Sequence, residues 1–307
     1  MPSAIASPPT LPTESRLRKS LSNRLLRLLR VKQWAKNAVV LVALLFSGKF
    51  TESTAVSNAL LTAFAFCALS SATYIFNDIA DSAADRLHPK KKNRPIASGE
   101  ISTSTGIIIA LACLLFSLVS AATVSWNVLL VFVIYAAVNV FYSKIGKHKA
   151  LIDIFCIAAG FVLRVIAGAV AVSVVPSSWL LVCTTLGALF LAVEKRRQEL
   201  LLPNAEDQRT VLRIYKQESL SRMESLIAPS LLTSYAIYTS QSPHGQWMML
   251  TVPLAVFGIM RYQILSEMGG QTEAPEEVLW SDRTIQVIAL LWAVISALVI
   301  FCSKSHG

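Results

Sequence analysis

The chain has 307 residues, of which 54% are hydrophobic and only 15% are charged. A soluble domain carries about a quarter charged residues, so this composition excludes an ordinary globular enzyme. The formal net charge of +10 would suit a nucleic-acid partner, but no recognition motif accompanies it, and we expect no nucleic acid to bind.

The N-terminal segment is polar and basic. Residues 1–15 are rich in Pro, Ser, Ala and Thr, which predicts a disordered tail. Residues 16–36 combine basic side chains with leucines at helical spacing. That pattern predicts an amphipathic helix lying on an anionic membrane surface.

Apolar blocks of membrane-spanning length follow this segment. A bilayer-spanning helix needs about 20 mostly apolar residues. The blocks predict an all-α polytopic membrane protein with a single domain over residues 37–302. The nine predicted transmembrane helices cover roughly 37–52, 57–77, 104–122, 126–143, 151–172, 177–193, 226–241, 246–262 and 284–302.

Basic residues are concentrated in every second segment that connects these helices. With nine spans and a cytoplasmic N-terminus, only Lys49 and Lys304 fall on the outer side, and Arg164 lies within a span. This distribution follows the positive-inside rule. We therefore expect the N-terminus in the cytoplasm and the C-terminus outside.

Acidic side chains are concentrated where the second span meets the cytoplasm. Asn77, Asp78, Asp81 and Asp85 are spaced so that they lie near one face of a helix. A solvated helix end would also produce such a cluster, but acidic groups at a helix C-terminus oppose the macrodipole. Because carboxylate oxygens suit magnesium bridged to phosphate, we predict that these four residues bind Mg²⁺ and a diphosphate.

A basic loop over residues 86–99 follows the acidic motif. Its two prolines and its glycine restrict the path of the backbone. Cations held beside metal-binding carboxylates favour a substrate with several phosphates, although topology charge alone is an alternative for the lysines. The predicted phosphate-binding residues of this loop are Lys90, Lys91 and Arg94, and Lys90 is predicted to be catalytic with Asp78, Asp81 and Asp85.

These motifs resemble a known family. Asn77-Asp78-x-x-Asp81-x-x-x-Asp85, followed by Arg94-Pro95-Ile96-Ala97-Ser98-Gly99, resembles the UbiA-type intramembrane prenyltransferase superfamily. The segment 30–37 resembles its polyprenyl-phosphate phosphoribosyltransferase branch. The resemblance implies nine helices around a cavity open to the cytoplasm, in the inner (plasma) membrane of a bacterium.

The resemblance also implies a reaction. In that branch, magnesium-dependent transfer moves 5-phosphoribose from 5-phosphoribosyl-1-diphosphate to a polyprenyl phosphate such as decaprenyl phosphate, and diphosphate leaves. The second acidic motif of ordinary superfamily members is altered here, since cations fill the space between Glu194 and Glu199. The alternatives are prenyl transfer from a prenyl diphosphate to an aromatic acceptor, and transport. The sequence is also compatible with a homo-oligomer.

Further basic and polar residues are candidates for binding the two substrates. Lys32 and Lys36 are predicted to hold the lipid phosphate, with plain topology charge as the alternative. Arg164 requires a buried anionic partner, which is either substrate or an Asp or Glu side chain. For Asp153 a helix cap competes with substrate binding. The remaining predicted substrate-binding residues are Tyr142, Lys149, Lys195, Arg196 and Glu199.

Overall fold

A computed structural model describes residues 14–88, 91–201, 210–242, 246–268 and 281–305. The predicted disordered tail lies outside these residues except for its last two positions. The helices are α1 Glu14–Leu28, α2 Val42–Phe46, α3 Ser53–Ala80, α4 Ser82–Leu87, α5 Thr103–Val124, α6 Trp126–Lys144, α7 Ile152–Ala171, α8 Ser178–Leu200, α9 Gln217–Ser240, α10 Val252–Glu267 and α11 Arg283–Ser305. Short 3₁₀ segments cover Val31–Leu41, Lys49–Thr51, Lys91–Asn93, Gly146–His148, Thr210–Arg213 and Gln246–Thr251.

The described part of the chain contains seven helices that are long and apolar enough to cross a membrane. Helices of this length and composition are typical of a multi-pass membrane protein. The two other predicted spans differ from these seven. Residues 37–52 form 3₁₀ turns and the short helix α2, and α9, which contains the predicted span 226–241, begins with a polar, charged turn.

The bundle places large apolar side chains outward and small ones between its helices. On α5, Ile108 is 67% exposed and Leu115 is 65% exposed, which suits contact with lipid. Ala59, Ala110 and Ala167 are fully buried. Small residues at helix contacts allow the close approach that membrane bundles depend on.

Successive long helices run in opposite directions, so that alternate helix ends meet at one end of the bundle. We call this end, where α3 passes into α4, the motif end. The 3₁₀ segment that follows α6 reaches the end of α3 there, because Lys147 donates to Asp81. The ends of α8 and α10 also meet there, because the Gln198 side chain donates to the Ser266 carbonyl.

The 3₁₀ segment Val31–Leu41 replaces the start of the first predicted transmembrane helix. Helix α1 ends at Leu28 rather than continuing to residue 36, and Arg30 adopts a left-handed conformation with φ 52° between the two elements. A Cβ on Gly168 of α7 would lie 1.8 Å from the Val40 carbonyl oxygen. The glycine therefore allows the backbone of the 3₁₀ segment to lie directly against α7.

A 3₁₀ helix has three residues per turn, so every third residue of this segment lies on the same face. Gln33, Lys36 and Val39 of this segment line a cavity at the motif end, together with Ala35 and with Arg30 just before the segment. A second face packs inward: the Trp34 indole donates to the Ser71 hydroxyl, Asn37 donates to Ser70, and Val40 is fully buried. Because the repeat is three residues, the cavity face remains aligned over the whole segment.

Candidate active site at the motif end

Two carboxylates of the acidic motif are buried and face the same cation. Asp78 lies in the last turn of α3 and Asp85 in α4, and they are 2% and 4% exposed. One guanidinium nitrogen of Arg94, Nη1, lies 3.0 Å from Asp78 Oδ1 and 2.7 Å from Asp85 Oδ2. Arg30 Nη2 also donates to Asp78 Oδ1.

The other two members of the motif turn to different partners. Asp81 Oδ1 lies 3.0 Å from Lys147 Nζ, and its side chain is 42% exposed. Asn77 Oδ1 accepts a hydrogen bond of 2.6 Å from the Ser143 hydroxyl. The structure thus brings Asp78 and Asp85 together and leaves Asn77 and Asp81 beside them, in contact with the end of α6 and the 3₁₀ segment that follows it.

The acidic motif offers two buried carboxylates as ligands for a magnesium ion. In the part of the chain that the structure describes, no three His, Cys, Asp or Glu side chains come close enough to hold a metal. The buried pair Asp78 and Asp85 nevertheless fits a hard cation, because both carboxylates direct an oxygen at a single positively charged nitrogen. Two carboxylates with water and phosphate oxygens are a usual ligand set for Mg²⁺.

A cavity of about 370 Å³ opens beside the acidic motif. Its polar lining includes Tyr74, Asn139 and Tyr142, and its apolar lining includes Ile157 and Leu191. Among the described residues that line it, none is Asp or Glu. Four basic side chains contribute to the wall: Arg30, Lys36, Arg164 and Lys195. This excess of positive charge suits an anionic ligand.

Arg164 reaches the cavity from the middle of α7 and is 4% exposed. Its guanidinium donates to the Asn37 side-chain oxygen at 2.8 Å and to the Tyr135 hydroxyl at 2.9 Å. It also donates to the Gly160 carbonyl at 2.8 Å. Of the two alternatives for its partner, a carboxylate is not found among the described residues, because these three acceptors are all neutral.

Arg196, which is fully buried, forms an ion-pair cluster beside the cavity. Its Nε lies 2.6 Å from Asp153 Oδ2, and its Nη1 lies 2.5 Å from Glu199 Oε2. Its Nη2 is 3.5 Å from the Tyr142 hydroxyl, and Tyr142 is the member of this cluster that lines the cavity. Arg196, Asp153 and Glu199 therefore support the wall of the cavity rather than form it.

Tyr215 completes this cluster from the segment before α9. Its hydroxyl donates to Asp153 Oδ1 at 2.7 Å and accepts from the Leu151 amide at 2.7 Å. Leu151 has φ 65°, a conformation that costs a non-glycine residue energy. Burial raises the pKa of Tyr215 above its ordinary value, and the Asp153 carboxylate raises it further. The phenol therefore remains a neutral donor at physiological pH.

A different face of α8 carries a second polar cluster. Glu194 is fully buried and accepts hydrogen bonds from Arg197 and from the Ser266 hydroxyl. Arg197 Nε lies 3.7 Å from Glu224 of α9. The two acidic residues left in the altered second motif, Glu194 and Glu199, are thus both engaged by arginines. Neither lines the cavity, whereas Lys195 between them does.

The remaining predicted residues lie away from the cavity or outside the described residues. Lys32 and Lys149 are exposed, and neither lines the cavity. Lys91 lies in a 3₁₀ turn and is not part of the cavity wall. Lys90 lies outside the described residues.

Three residues of the site were not singled out by the sequence. Arg30 and Lys147 were not among the predicted site residues, yet they bind Asp78 and Asp81. Asn37 is buried and orients Arg164. A three-residue repeat through Arg30, Gln33 and Lys36 was the available signal for the first of these; for Lys147 the sequence carried none.

A second, apolar groove shares Tyr262 with the cavity. It has a volume of about 350 Å³ and is formed by α9, α10 and α11. Leu231, Gly258 and Ile288 contribute to its wall, and Tyr262 lines both the groove and the cavity. The cavity and the apolar groove therefore adjoin at this aromatic side chain.

Comparisons with known proteins agree with this architecture. The sequence profile of the UbiA prenyltransferase family matches residues 38–271. Decaprenyl-phosphate phosphoribosyltransferase of Corynebacterium glutamicum is 34% identical over an alignment of 295 residues, which covers 92% of this chain and 88% of the relative. The enzyme of the same name from Mycolicibacterium smegmatis is 32% identical over an alignment of 291 residues, which covers 89% of this chain and 91% of the relative.

Solved structures show the same fold. A UbiA homolog from Archaeoglobus fulgidus, solved bound to GPP and Mg²⁺, superposes with a TM-score of 0.69 over 90% of this chain and 99% of that chain. The two sequences are 19% identical, so this similarity establishes the fold and not the substrate.

Proposed function

Because this chain belongs to the UbiA prenyltransferase family and is a transferase, we propose that it transfers 5-phosphoribose from 5-phosphoribosyl-1-diphosphate to a polyprenyl phosphate and releases diphosphate. The names of the relatives from Corynebacterium glutamicum and Mycolicibacterium smegmatis support this choice, with decaprenyl phosphate as the acceptor.

The observation that carries the proposal is the charge of the cavity. Four basic side chains and no acidic one line it in the described part of the chain. Both substrates of the proposed reaction bear phosphates, so the site must offset several negative charges at once. An aromatic acceptor with a prenyl diphosphate would bring fewer charges. The altered second motif points the same way, because its glutamates are engaged by Arg196 and Arg197.

We assign the leaving diphosphate to the region of Asp78, Asp85 and Arg94. Asp78 and Asp85 would hold Mg²⁺, the ion bound in the Archaeoglobus fulgidus homolog, with Asn77 and Asp81 beside them. When bound, the metal supplies neutralisation of the charge on the diphosphate. Arg94 binds two carboxylates in the structure and has the planar fork that suits phosphate oxygens.

The protein's contribution to the transfer is mainly placement of charge. A phosphate oxygen of the lipid forms a bond to ribose C1 as the bond from C1 to the diphosphate oxygen breaks, and the bonding electrons leave with diphosphate. The attacking group is already an anion, so the site needs no strong general base. Lys36 and Lys195 line the cavity, and there they stabilise the charge that moves between the two phosphates. The apolar groove at Tyr262 suits the prenyl tail.

We further propose that the motif end faces the cytoplasm of a bacterial inner membrane, with the C-terminus outside. In this arrangement the 3₁₀ segment with α2, and α9, provide two crossings besides the seven apolar helices. The support is the distribution of Lys and Arg, which are concentrated in segments at the motif end. A phosphorylated sugar donor is a cytoplasmic metabolite class, which agrees with this orientation.

Release of diphosphate by the purified protein tests this proposal. We expect release that requires 5-phosphoribosyl-1-diphosphate, a polyprenyl phosphate and Mg²⁺ together, and that stops when polyprenol replaces the phosphate. Release that is independent of the lipid phosphate would contradict it. So would release from a prenyl diphosphate in the presence of an aromatic acid.

A further inference from the structure

Arg164 carries a buried positive charge that the protein itself does not neutralise. The side chain lies in the middle of an apolar helix and is 4% exposed. Its three hydrogen-bond acceptors, on Asn37, Tyr135 and Gly160, are uncharged. Within the described residues, Arg164 takes part in no ion pair, whereas Arg94, Arg196 and Arg197 each contact one or more carboxylates.

The surroundings of Arg164 stabilise a cation without cancelling its charge. The guanidinium carbon lies 5.1 Å from the ring centroid of Phe66, 5.0 Å from that of Tyr135 and 5.4 Å from that of Phe161. Aromatic faces attract cations, but each contact contributes only about 0.5–2 kcal/mol. An isolated charge at membrane depth costs more than that, which is why such charges are usually paired or serve a ligand.

The guanidinium is also held in one orientation. Asn37 accepts from its Nε, and the Asn37 amide is itself fixed because it donates to Ser70 and Cys67. A guanidinium has five N–H groups, and three hydrogen bonds are present, so donor capacity is left for a ligand. Arg164 follows Asp153 by eleven residues on α7, which places it about 16 Å from the motif end at 1.5 Å per residue.

We infer that Arg164 binds a phosphate group of a substrate at the deep end of the cavity. The substrate's phosphate supplies the negative charge that the protein lacks there, and the neutral partners aim the guanidinium at it. The identity of the phosphate compounds rests on the proposed function, and two sources share this chemistry: the phosphate of the polyprenyl lipid and the 5-phosphate of the sugar donor.

Ligand-binding affinities of purified variants in detergent test this inference without turnover. Polyprenyl phosphate and 5-phosphoribosyl-1-diphosphate are titrated separately, with polyprenol as the lipid that lacks a phosphate. We expect Arg164→Gln to weaken binding of one phosphate ligand about 10- to 100-fold, the effect of losing charge-assisted hydrogen bonds. Arg164→Lys keeps the charge but not the planar fork, so its affinity for that ligand should lie between those of wild type and Arg164→Gln.

The ligand that is affected identifies the source. Selective loss of polyprenyl phosphate binding assigns Arg164 to the lipid, and selective loss of the sugar donor assigns it to the 5-phosphate. The matched control is Arg261→Gln, since Arg261 lies outside the cavity wall and pairs with Asp282. It should leave both affinities unchanged. Affinities of Arg164→Gln within about twofold of wild type for both ligands would overturn the inference.

A second variant addresses a folding defect in Arg164→Gln. Tyr135→Phe retains the arginine charge and the ring, and removes one acceptor that orients the guanidinium. We expect it to weaken the same phosphate ligand by about 2- to 10-fold, because only alignment is lost. Unchanged affinity for both ligands would contradict the inference. Binding with no transfer would refute the proposed function and leave the role of Arg164 standing.

Discussion

Replacement of Asp153 should mainly affect the stability of the fold. Asp153 and Arg196 are both fully buried, and their side chains form an ion pair of 2.6 Å. Asp153→Ala would leave the guanidinium with one carboxylate, that of Glu199, whose side chain is 18% exposed. The same substitution would remove the acceptor of the Tyr215 hydroxyl. The change therefore breaks a buried pair on one side only.

The expected loss follows from that geometry. Breaking a buried ion pair by removing one partner costs about 3–5 kcal/mol, because a desolvated charge is left without compensation. The remaining bond from Arg196 to Glu199 places the expected value in the lower part of this range. Asp153→Asn retains an acceptor oxygen and should cost less. A double variant, Asp153→Asn with Arg196→Gln, removes both charges and should recover part of the lost free energy of unfolding.

Unfolding in mixed detergent micelles, followed by circular dichroism, gives these free energies. The matched control is Asp282→Asn, which breaks the 2.7 Å ion pair between Asp282 and Arg261. The Arg261 side chain is 33% exposed, so this variant should lose much less free energy of unfolding than Asp153→Ala. Turnover is measured on the same samples. An Asp153→Asn protein as stable as wild type but more than about 100-fold slower would refute this reasoning, because Asp153 would then act on the substrate.

Three further changes test other parts of the site. Gly168→Ala should displace the Val40 carbonyl and cost about 1–3 kcal/mol in unfolding free energy. Gly187→Ala should be tolerated, because the nearest atom to an added Cβ lies 3.8 Å away. Equal losses for the two variants would contradict the close contact at Gly168. Asp85→Asn should lower turnover about 10²–10³-fold and raise the Mg²⁺ concentration for half-maximal rate, and an unchanged magnesium titration would argue against that ligand. The pKa of Tyr215 is raised in the folded state. The contribution of Tyr215 to the free energy of unfolding should therefore be fully present below about pH 10 and decline above it. In a pH series of unfolding measurements, the Tyr215→Phe variant should lack this decline.

The general class of the protein and the acidic motif could be predicted from the sequence. Apolar blocks identify membrane helices by composition alone, and the family resemblance was confirmed by the profile match and by the relatives. All four motif residues were predicted to lie near one helical face, but only Asp78 and Asp85 meet at Arg94, whereas Asn77 and Asp81 contact Ser143 and Lys147. Helical spacing therefore predicted the cluster but not which of its members face one another, because the helix is interrupted at Asp81.

The structure departs from expectation where the period or the partner is not local. A hydropathy window does not distinguish a 3₁₀ repeat from an α-helix, so the first span was expected to be a regular helix and the cavity face of Arg30 and Gln33 was missed. The partners of Arg196 come from α7 and from its own helix. The charge of Arg196 alone does not show whether it binds a substrate or forms an ion pair within the protein. Lys147 reaches Asp81 across the bundle, and no sequence spacing encodes that contact.

The most direct test of the account offers both kinds of donor to one sample. Purified protein in lipid vesicles with Mg²⁺ receives labelled 5-phosphoribosyl-1-diphosphate and a polyprenyl phosphate, together with a prenyl diphosphate and an aromatic acid, and the products are identified by mass spectrometry. The account predicts a polyprenyl lipid that has gained a phosphoribosyl group and an aromatic acid that is unchanged. A prenylated aromatic acid with no labelled lipid would contradict it.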